Sequence, residues 1–139
     1  MNILFLCDDN TGLSQMAEGI ARVVFENNTN IYSASLKLKK SLNPLAIKVM
    51  EEMDINIACY QTKSLREINL SNMDIIINLG TKDSAIKPLD HQKKYYWPLP
   101  NPNNVYLTSE EQLNAFYDRR DRLVGNIIRL KQRLNKKTC

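Results

Sequence analysis

Residues 4–21 read LFLCDDNTGLSQMAEGIA: an apolar run, a polar turn that begins at Cys7, and then an amphipathic segment. This pattern predicts a buried strand, a loop and an α-helix in immediate succession. Cys7 then lies under the N-terminus of the helix, where unpaired backbone N–H groups and the helix dipole favour an anion. Because the same groups favour a thiolate, we expect Cys7 to be a partly exposed, reactive thiol.

The apolar periodicity of the remaining chain predicts an α/β domain with a parallel sheet that is covered on both faces. The predicted strands and extended stretches are Asn2–Leu6, Ile31–Ala34, Ile55–Ala58, Asp74–Leu79 and Tyr95–Leu99. The predicted helices are Ser14–Asn27, Pro44–Met53 and Ser109–Lys136. Ser109 is predicted to cap the last helix, with Gln112 completing a capping box. In such folds ligands bind beyond the carboxyl ends of the strands, where the Cys7 loop lies.

The bulk properties indicate one domain over residues 1–139, without cofactor or metal. No apolar run is long enough for a membrane span, so we expect a cytoplasmic protein with no membrane contact. The three cysteines are irregularly spaced, so they indicate neither a disulfide framework nor a zinc site. From Glu110 onward eight basic residues face four acidic ones. A basic helix can bind nucleic acid or an acidic partner, but a solvated face is the simpler interpretation, and nucleic acid is not expected.

Several motifs in fixed order carry a resemblance to a known family. They are Cys7, Asn10 and Ser14 in the loop, SQMAEG at 14–19, YSA at 32–34, LNPLAIKVMEEMDINI at 42–57, Gln61–Leu65 and Trp97–Pro102. Over nearly its whole length the chain resembles the low-molecular-weight protein tyrosine phosphatase superfamily, and most of all its thioredoxin-coupled arsenate reductases. The resemblance implies a three-layer αβα sandwich with a small parallel sheet.

The resemblance also implies roles for individual residues. It assigns Cys7 as the nucleophile and Asn101, before Pro102, to the position of the general acid. The cluster of Tyr95, Tyr96 and Trp97 resembles the family's aromatic wall, with Tyr96 and Trp97 as the wall residues of the pocket, although an edge strand that packs on the core explains the cluster at least as well. The anion-binding loop comprises Asp8, Asp9, Asn10, Thr11, Gly12, Leu13 and Ser14. In it Asn10 braces the loop, Ser14 hydrogen-bonds the thiolate, and both serve to cap the helix.

Three departures from the family pattern argue against the family chemistry. Leu13 holds the position of an arginine and cannot form a bidentate pair with a dianion. Asp8 and Asp9 place like charge beside the thiolate and beside any incoming oxyanion. Asn101 cannot donate a proton as a carboxylic acid does. We therefore expect a phosphatase fold with little or no phosphatase activity.

Arsenate reduction is not expected either, because the relay in the resembling reductases uses two further cysteines after the third long strand. Here that segment, Gly80–Asp90, reads GTKDSAIKPLD and has no cysteine. Cys59 lies earlier in the chain and is expected to be buried or half-buried. Cys139 reaches Cys7 only if the tail folds back.

Three hypotheses remain open from the sequence. In the first, the protein binds a small oxyanion or a protein ligand through the old anion pocket and has lost its activity. In the second, Cys7 is the nucleophile or redox thiol of an enzyme with another substrate. In the third, Lys37, Lys39 or Lys40 replaces the arginine of an active phosphatase or arsenate reductase.

Two further polar features have a functional and a structural interpretation. Asp8 and Asp9, together with Asp90, are candidates for holding a cation or a cationic ligand, but turn chemistry is the favoured interpretation. His91, the only histidine, is expected to be a surface residue.

Overall fold

A four-stranded parallel sheet with strand order β2-β1-β3-β4 forms the centre of this computed structural model. The structure describes residues 1–8, 12–25, 28–36, 42–60, 63–80, 87–100, 102 and 106–137. The strands are β1 (Asn2–Cys7), β2 (Asn30–Ser35), β3 (Ile75–Asn78) and β4 (Lys93–Tyr96). The α-helices are α1 (Leu13–Val24), α2 (Pro44–Glu51) and α3 (Ser109–Lys137), and two short 3-10 helices span Leu65–Glu67 and Leu70–Asn72.

The central strand β1 is buried on both faces, which explains its nearly continuous apolar sequence. It pairs on one side with β2 and on the other with β3, so that Leu4 lies opposite both Tyr32 and Ile76. Side chains alternate across a strand. Ile3 and Phe5 therefore belong to the core on one face of the sheet, and Leu4 belongs to the core on the other.

The two faces of the sheet are covered differently. All three α-helices contribute to the larger core, through residues such as Met16, Val49 and Phe116. In the smaller core Met73 packs with the opposite face of β1 and β3, and residues of the two 3-10 helices lie against it. The predicted α/β class, with a small parallel sheet covered on both sides, is confirmed. No helix within the described ranges is long and apolar enough to cross a membrane.

The segment after α2 differs from the prediction. α2 ends at Glu51 rather than Met53, and Asp54 adopts a positive φ of 59°. The predicted extended stretch Ile55–Ala58 does not join the sheet, because it packs against α1 instead. A Cβ atom on Gly19 would lie 2.9 Å from Cγ2 of Ile57, so the glycine permits this close approach.

The ends of α1 and β4 are also corrected. α1 stops at Val24, because Phe25 is already extended with φ −90° and ψ 145°. β4 covers Lys93–Tyr96 instead of Tyr95–Leu99. Beyond β4, Trp97 and Leu99 still donate their backbone N–H groups to the carbonyls of Asn78 and Leu79, and Pro98, which has no N–H, lies between them.

The cap of α3 lies one residue earlier than predicted. The hydroxyl of Thr108 accepts a hydrogen bond from the N–H of Glu111 at 3.1 Å, and the Glu111 carboxylate accepts one from the N–H of Thr108 at 3.1 Å. These hydrogen bonds lower the pKa of Glu111. The stretch TSEEQ carries the capping spacing twice, at Thr108–Glu111 and at Ser109–Gln112, and the structure uses the first.

Candidate active site

Cys7 lies at the carboxyl end of β1 and is enclosed by polar groups. Its Sγ atom lies 3.1 Å from Oγ of Ser14, 3.8 Å from Oγ of Ser35 and 3.9 Å from the carbonyl oxygen of Ala34. The Ser14 hydroxyl in turn donates to Oε1 of Gln15 at 3.1 Å. The contact between Cys7 and Ser14 is the one that the resemblance implied. The expectation of a partly exposed thiol is wrong, since Cys7 is only 2% exposed between β2 and the start of α1.

Gly12 turns the chain from the loop into α1. It has a φ of +97°, and its carbonyl accepts the first helical hydrogen bond from Met16 at 2.9 Å. A Cβ at this position would also lie 2.9 Å from Cβ of Ala46. Both the left-handed backbone and the close contact call for glycine. Among the described residues no side chain caps α1, so the predicted capping role of Ser14 is wrong.

Leu13 holds the position that the resemblance assigns to arginine. It is 2% exposed and belongs to the larger core, in the same cluster as Ala46 and Met16. Its side chain therefore contributes packing rather than charge to the beginning of α1.

Asp8 lies over the end of the neighbouring strand β3. A Cβ atom built on Gly80 would lie 2.1 Å from Oδ1 of Asp8, so the carboxylate occupies the space that a side chain at position 80 would need. Gly80 donates its N–H to Oδ1 of Asn78 at 2.9 Å. Sequence reasoning missed Asn78 and Gly80. The signal was present as a polar Asn, 3% exposed, that ends an apolar run just before a glycine.

A second polar cluster that the sequence analysis missed lies on α1. Glu18 is 8% exposed and accepts hydrogen bonds from Oγ of Ser33 at 2.6 Å and from Nε of Arg22 at 3.0 Å. The Arg22 guanidinium lies 5.7 Å from the centroid of the Tyr60 ring. Burial raises the pKa of Tyr60, and the nearby Glu18 raises it further, against the opposite influence of Arg22. Arg22 is thus engaged here as a counter-ion of Glu18.

The two predicted wall residues lie in different surroundings. Trp97 is half-buried, with its ring centroid 6.5 Å from that of Phe5 and 6.2 Å from that of Tyr95, so it packs on the larger core. Tyr96 is 39% exposed. Their role as a wall of the Cys7 pocket stays a prediction.

Several predicted residues lie outside the described part of the chain. They are Asp9, Asn10, Thr11, Lys37, Lys39, Lys40, Asn101 and Cys139. Among the described residues no group of three His, Cys, Asp or Glu side chains is placed to hold a metal ion. His91 is exposed, as predicted, whereas Cys59 is exposed and not buried or half-buried.

Comparison with known proteins identifies the family. The family described as low molecular weight phosphotyrosine protein phosphatase matches residues 2–138. A parallel sheet with a cysteine loop at its carboxyl edge fits that match, and the chain belongs to this family.

Named relatives and solved structures agree with this assignment. An arsenate reductase of Shouchella clausii is 36% identical over 129 residues, covering 90% of this chain and 91% of its own. An arsenate reductase of Bacillus subtilis is 33% identical over 129 residues, covering 91% of each chain. The solved low molecular weight protein tyrosine phosphatase from T. tengcongensis has a TM-score of 0.77 at 22% identity, covering 96% of this chain and 99% of that one. At that identity the structural likeness shows the fold alone.

Proposed function

We propose that this family member has lost most or all phosphatase and arsenate reductase activity, and that its Cys7 loop now binds a ligand or regulates a partner. The burial of Leu13 in the core carries the proposal, because the described part of the loop then offers no guanidinium to an oxyanion. A small oxyanion or a protein segment is the proposed ligand. The cytoplasm is its proposed location.

The loss of one preorganised cationic donor has a large effect on phosphoryl transfer. Removing such a donor typically costs about 2–4 kcal/mol of transition-state stabilisation. Replacing a general acid by an amide costs about a further 10²- to 10⁴-fold in rate. Since the resemblance assigns Leu13 and Asn101 to these two different tasks, the two losses should compound.

Asp8 adds an electrostatic argument at the same edge of the sheet. Its carboxylate lies against Gly80, beyond the end of β3, while Cys7 ends the adjacent strand β1. A negative charge beside an anion site opposes both a thiolate and an incoming dianion. This placement supports a ligand of lower charge than phosphate or arsenate.

The cysteines support a loss of arsenate reduction. Cys59 is exposed in the segment after α2, whereas Cys7 is buried at the end of β1. A relay of the kind that the resemblance implies would need further thiols in Gly80–Asp90, and the sequence has none there.

Hydrolysis of an aryl phosphate tests this proposal directly. We expect the wild-type protein to release phenol no faster than Cys7→Ser. The reason is that Leu13 and Asn101 occupy the positions that the resemblance assigns to the arginine and the general acid. The rate of arsenate reduction with dithiothreitol, measured in parallel, should likewise be the same in the wild type and in Cys7→Ser. Turnover in the wild type that disappears in Cys7→Ser would overturn the proposal and favour a replacement cation such as Lys37, Lys39 or Lys40.

A second candidate function, thiol chemistry at Cys7, is favoured by the 3.1 Å contact between its Sγ and Oγ of Ser14 at the start of α1. Here Cys7 would act as nucleophile or redox thiol on a substrate other than a phosphate dianion. The helix N-terminus favours the thiolate, while in the structure the Cys7 S–H donates to the Ser14 hydroxyl, which in turn donates to Gln15.

Alkylation at neutral pH separates the two candidates. Because Cys7 is 2% exposed and Cys59 is exposed, we expect iodoacetamide to modify Cys59 first, about tenfold faster or more, when both sites are followed by peptide mass mapping. The double variant Cys59→Ser/Cys139→Ser leaves Cys7 as the only cysteine of the sequence, so the rate at Cys7 is measured alone. Preferential modification of Cys7 in the native protein would favour the thiol enzyme over the binding role.

A further inference from the structure

A small, open cleft of about 100 Å³ lies between the outer strand β4, with the residue that follows it, and the second half of α3. Its lining consists of Tyr95, Trp97, Asn126, Arg129, Leu130 and Arg133. Trp97 is the one predicted site residue in this lining, and Cys7 is not part of it, so the cleft does not contain the candidate nucleophile.

The strand side of the cleft is aromatic and firmly held. The rings of Tyr95 and Trp97 are tilted by 50° with their centroids 6.2 Å apart, and Trp97 also packs on the fully buried Phe5. Both rings are half-buried, so part of each faces the cleft. Flat apolar surfaces of this kind suit a planar ring.

The helix side of the cleft carries the positive charge of Arg129 and Arg133. Arg129 and Arg133 are four residues apart, which places them on one face of α3. Within the described ranges, the ion pairs of α3 involve Arg119, Arg120 and Arg122, all in its first half. The sequence has no Asp or Glu after Asp121. Among the described residues neither guanidinium has an acidic partner, so both can pair with a ligand anion.

Gly125 leaves room for one of these guanidinium groups. Nη2 of Arg129 donates to Oδ1 of Asn126 at 2.6 Å. A Cβ atom on Gly125 would lie 3.3 Å from both Nη1 and Nη2 of Arg129, closer than most such contacts. Glycine weakens a helix interior, so α3 loses stability at the position where a methyl group would crowd the guanidinium.

We propose that this cleft is a second ligand site, specific for a small aromatic anion such as an aryl carboxylate or an aryl phosphate. The ring lies against Tyr95 and Trp97, and the carboxylate or phosphate oxygens accept hydrogen bonds from Arg129 and Arg133. Guanidinium groups suit both oxygen pairs and aromatic faces. The small volume favours a single ring system over a nucleic acid strand, which needs a longer groove along its backbone.

The only tryptophan of the chain, Trp97, reports directly on this cleft. In the full-length ¹⁵N-labelled protein its indole N–H gives a single cross-peak, and titration with phthalate should shift that peak to saturation. Cyclohexane-1,2-dicarboxylate has the charges without the aromatic ring, and benzamide has the ring without the charge. We expect each to bind about tenfold more weakly than phthalate or worse.

Variants of exposed residues test the charge. Arg129→Ala and Arg133→Ala should each weaken phthalate binding about fivefold or more, while Lys136→Ala, which removes a charge from the same helix outside the cleft, should change it by less than about twofold. Gly125→Ala should raise the melting temperature and weaken binding, because a better helix former displaces the guanidinium.

Four results would overturn the proposal. The first is an indole signal that does not saturate at millimolar phthalate. The second is equal affinity for the cyclohexane dicarboxylate. The third is a loss of affinity in Lys136→Ala as large as that in the two arginine variants, which would mean that the general positive potential of α3, and not the cleft, attracts phthalate. The fourth is tighter binding of nucleic acid: a single-stranded oligonucleotide would shift the indole peak at about a tenth or less of the concentration needed with a mononucleotide. That result would identify the cleft as part of a nucleic acid surface.

Discussion

Leu13 follows the left-handed Gly12 and directs its side chain into the larger core. An arginine side chain placed in the same orientation would bury its charge among apolar groups, which is strongly unfavourable. It would have to turn out of the core toward the loop. A substitution at position 13 therefore changes both the stability of the fold and the charge of the loop. An arginine there would restore the charge but remove the packing contact that Leu13 makes.

Leu13→Ala should lower the free energy of unfolding by about 2–5 kcal/mol, because it removes a fully buried side chain and leaves a cavity. Urea unfolding followed by circular dichroism measures the change. Leu89→Ala, at a side chain that is 50% exposed, is the matched control and should change the free energy by about 0.5 kcal/mol or less. A loss below about 1 kcal/mol in Leu13→Ala would mean that the side chain packs loosely.

The residues of the site were predictable where a motif fixed them. The motif placed Cys7 at the end of a strand and paired it with Ser14, and the structure has that contact at 3.1 Å. The burial of Cys7 depends on the end of β2, whose Ser35 and Ala34 come from a distant stretch of chain. No local pattern carries that information. The same holds for Glu18, whose partner Ser33 lies fifteen residues away.

Among the elements, strands with continuous apolar sequence were predicted best. β1 and β3 are buried on both faces, and their sequences show it. β4 lies at the edge of the sheet, and its residues KKYY carry a weak signal, so the prediction shifted toward the aromatic residues that follow. At the start of α3 the sequence contains two overlapping capping boxes, one with the hydroxyl of Thr108 and one with that of Ser109, and the sequence alone does not distinguish them.

This choice of cap can be tested by paired substitutions. Thr108→Ala should lower the free energy of unfolding by about 1 kcal/mol, because the N–H of Glu111 loses its partner. Ser109→Ala should change it by about 0.5 kcal/mol or less, as Ser109 is already inside the helix and exposed. Thermal unfolding of both variants at neutral pH provides the comparison. The reverse order of effects would restore Ser109 as the cap.

At the scale of the whole molecule, α3 joins elements that are distant in sequence. Nζ of Lys131 donates to the carbonyl of Val24 at 2.7 Å, Nη1 of Arg120 to that of Val49 at 2.9 Å, and Nε of Arg119 to that of Pro100 at 2.8 Å. Val24 ends α1 and Val49 lies in the last turn of α2, where carbonyls lack helical partners. The sequence suggested a solvated basic face, but part of it holds the helices together.

Arg120→Ala should lower the free energy of unfolding by about 1–2 kcal/mol, because its guanidinium is 15% exposed and binds a carbonyl of α2. Arg122→Ala removes the same charge from the same helix. Arg122 is 56% exposed and pairs only with the nearby Asp118 in the described structure, so we expect a loss of about 0.5 kcal/mol or less. Equal losses in denaturant unfolding would show that net charge, not the contact with α2, is responsible.

The place of β4 at the end of the strand order bears on how the protein behaves at high concentration. An outermost strand is where a foreign strand adds and where fibrous aggregates begin. β4 is only four residues long, and two of them are Lys93 and Lys94. A second copy approaching this edge would bring ammonium groups face to face. This border of the sheet is therefore built to discourage polymerisation between molecules.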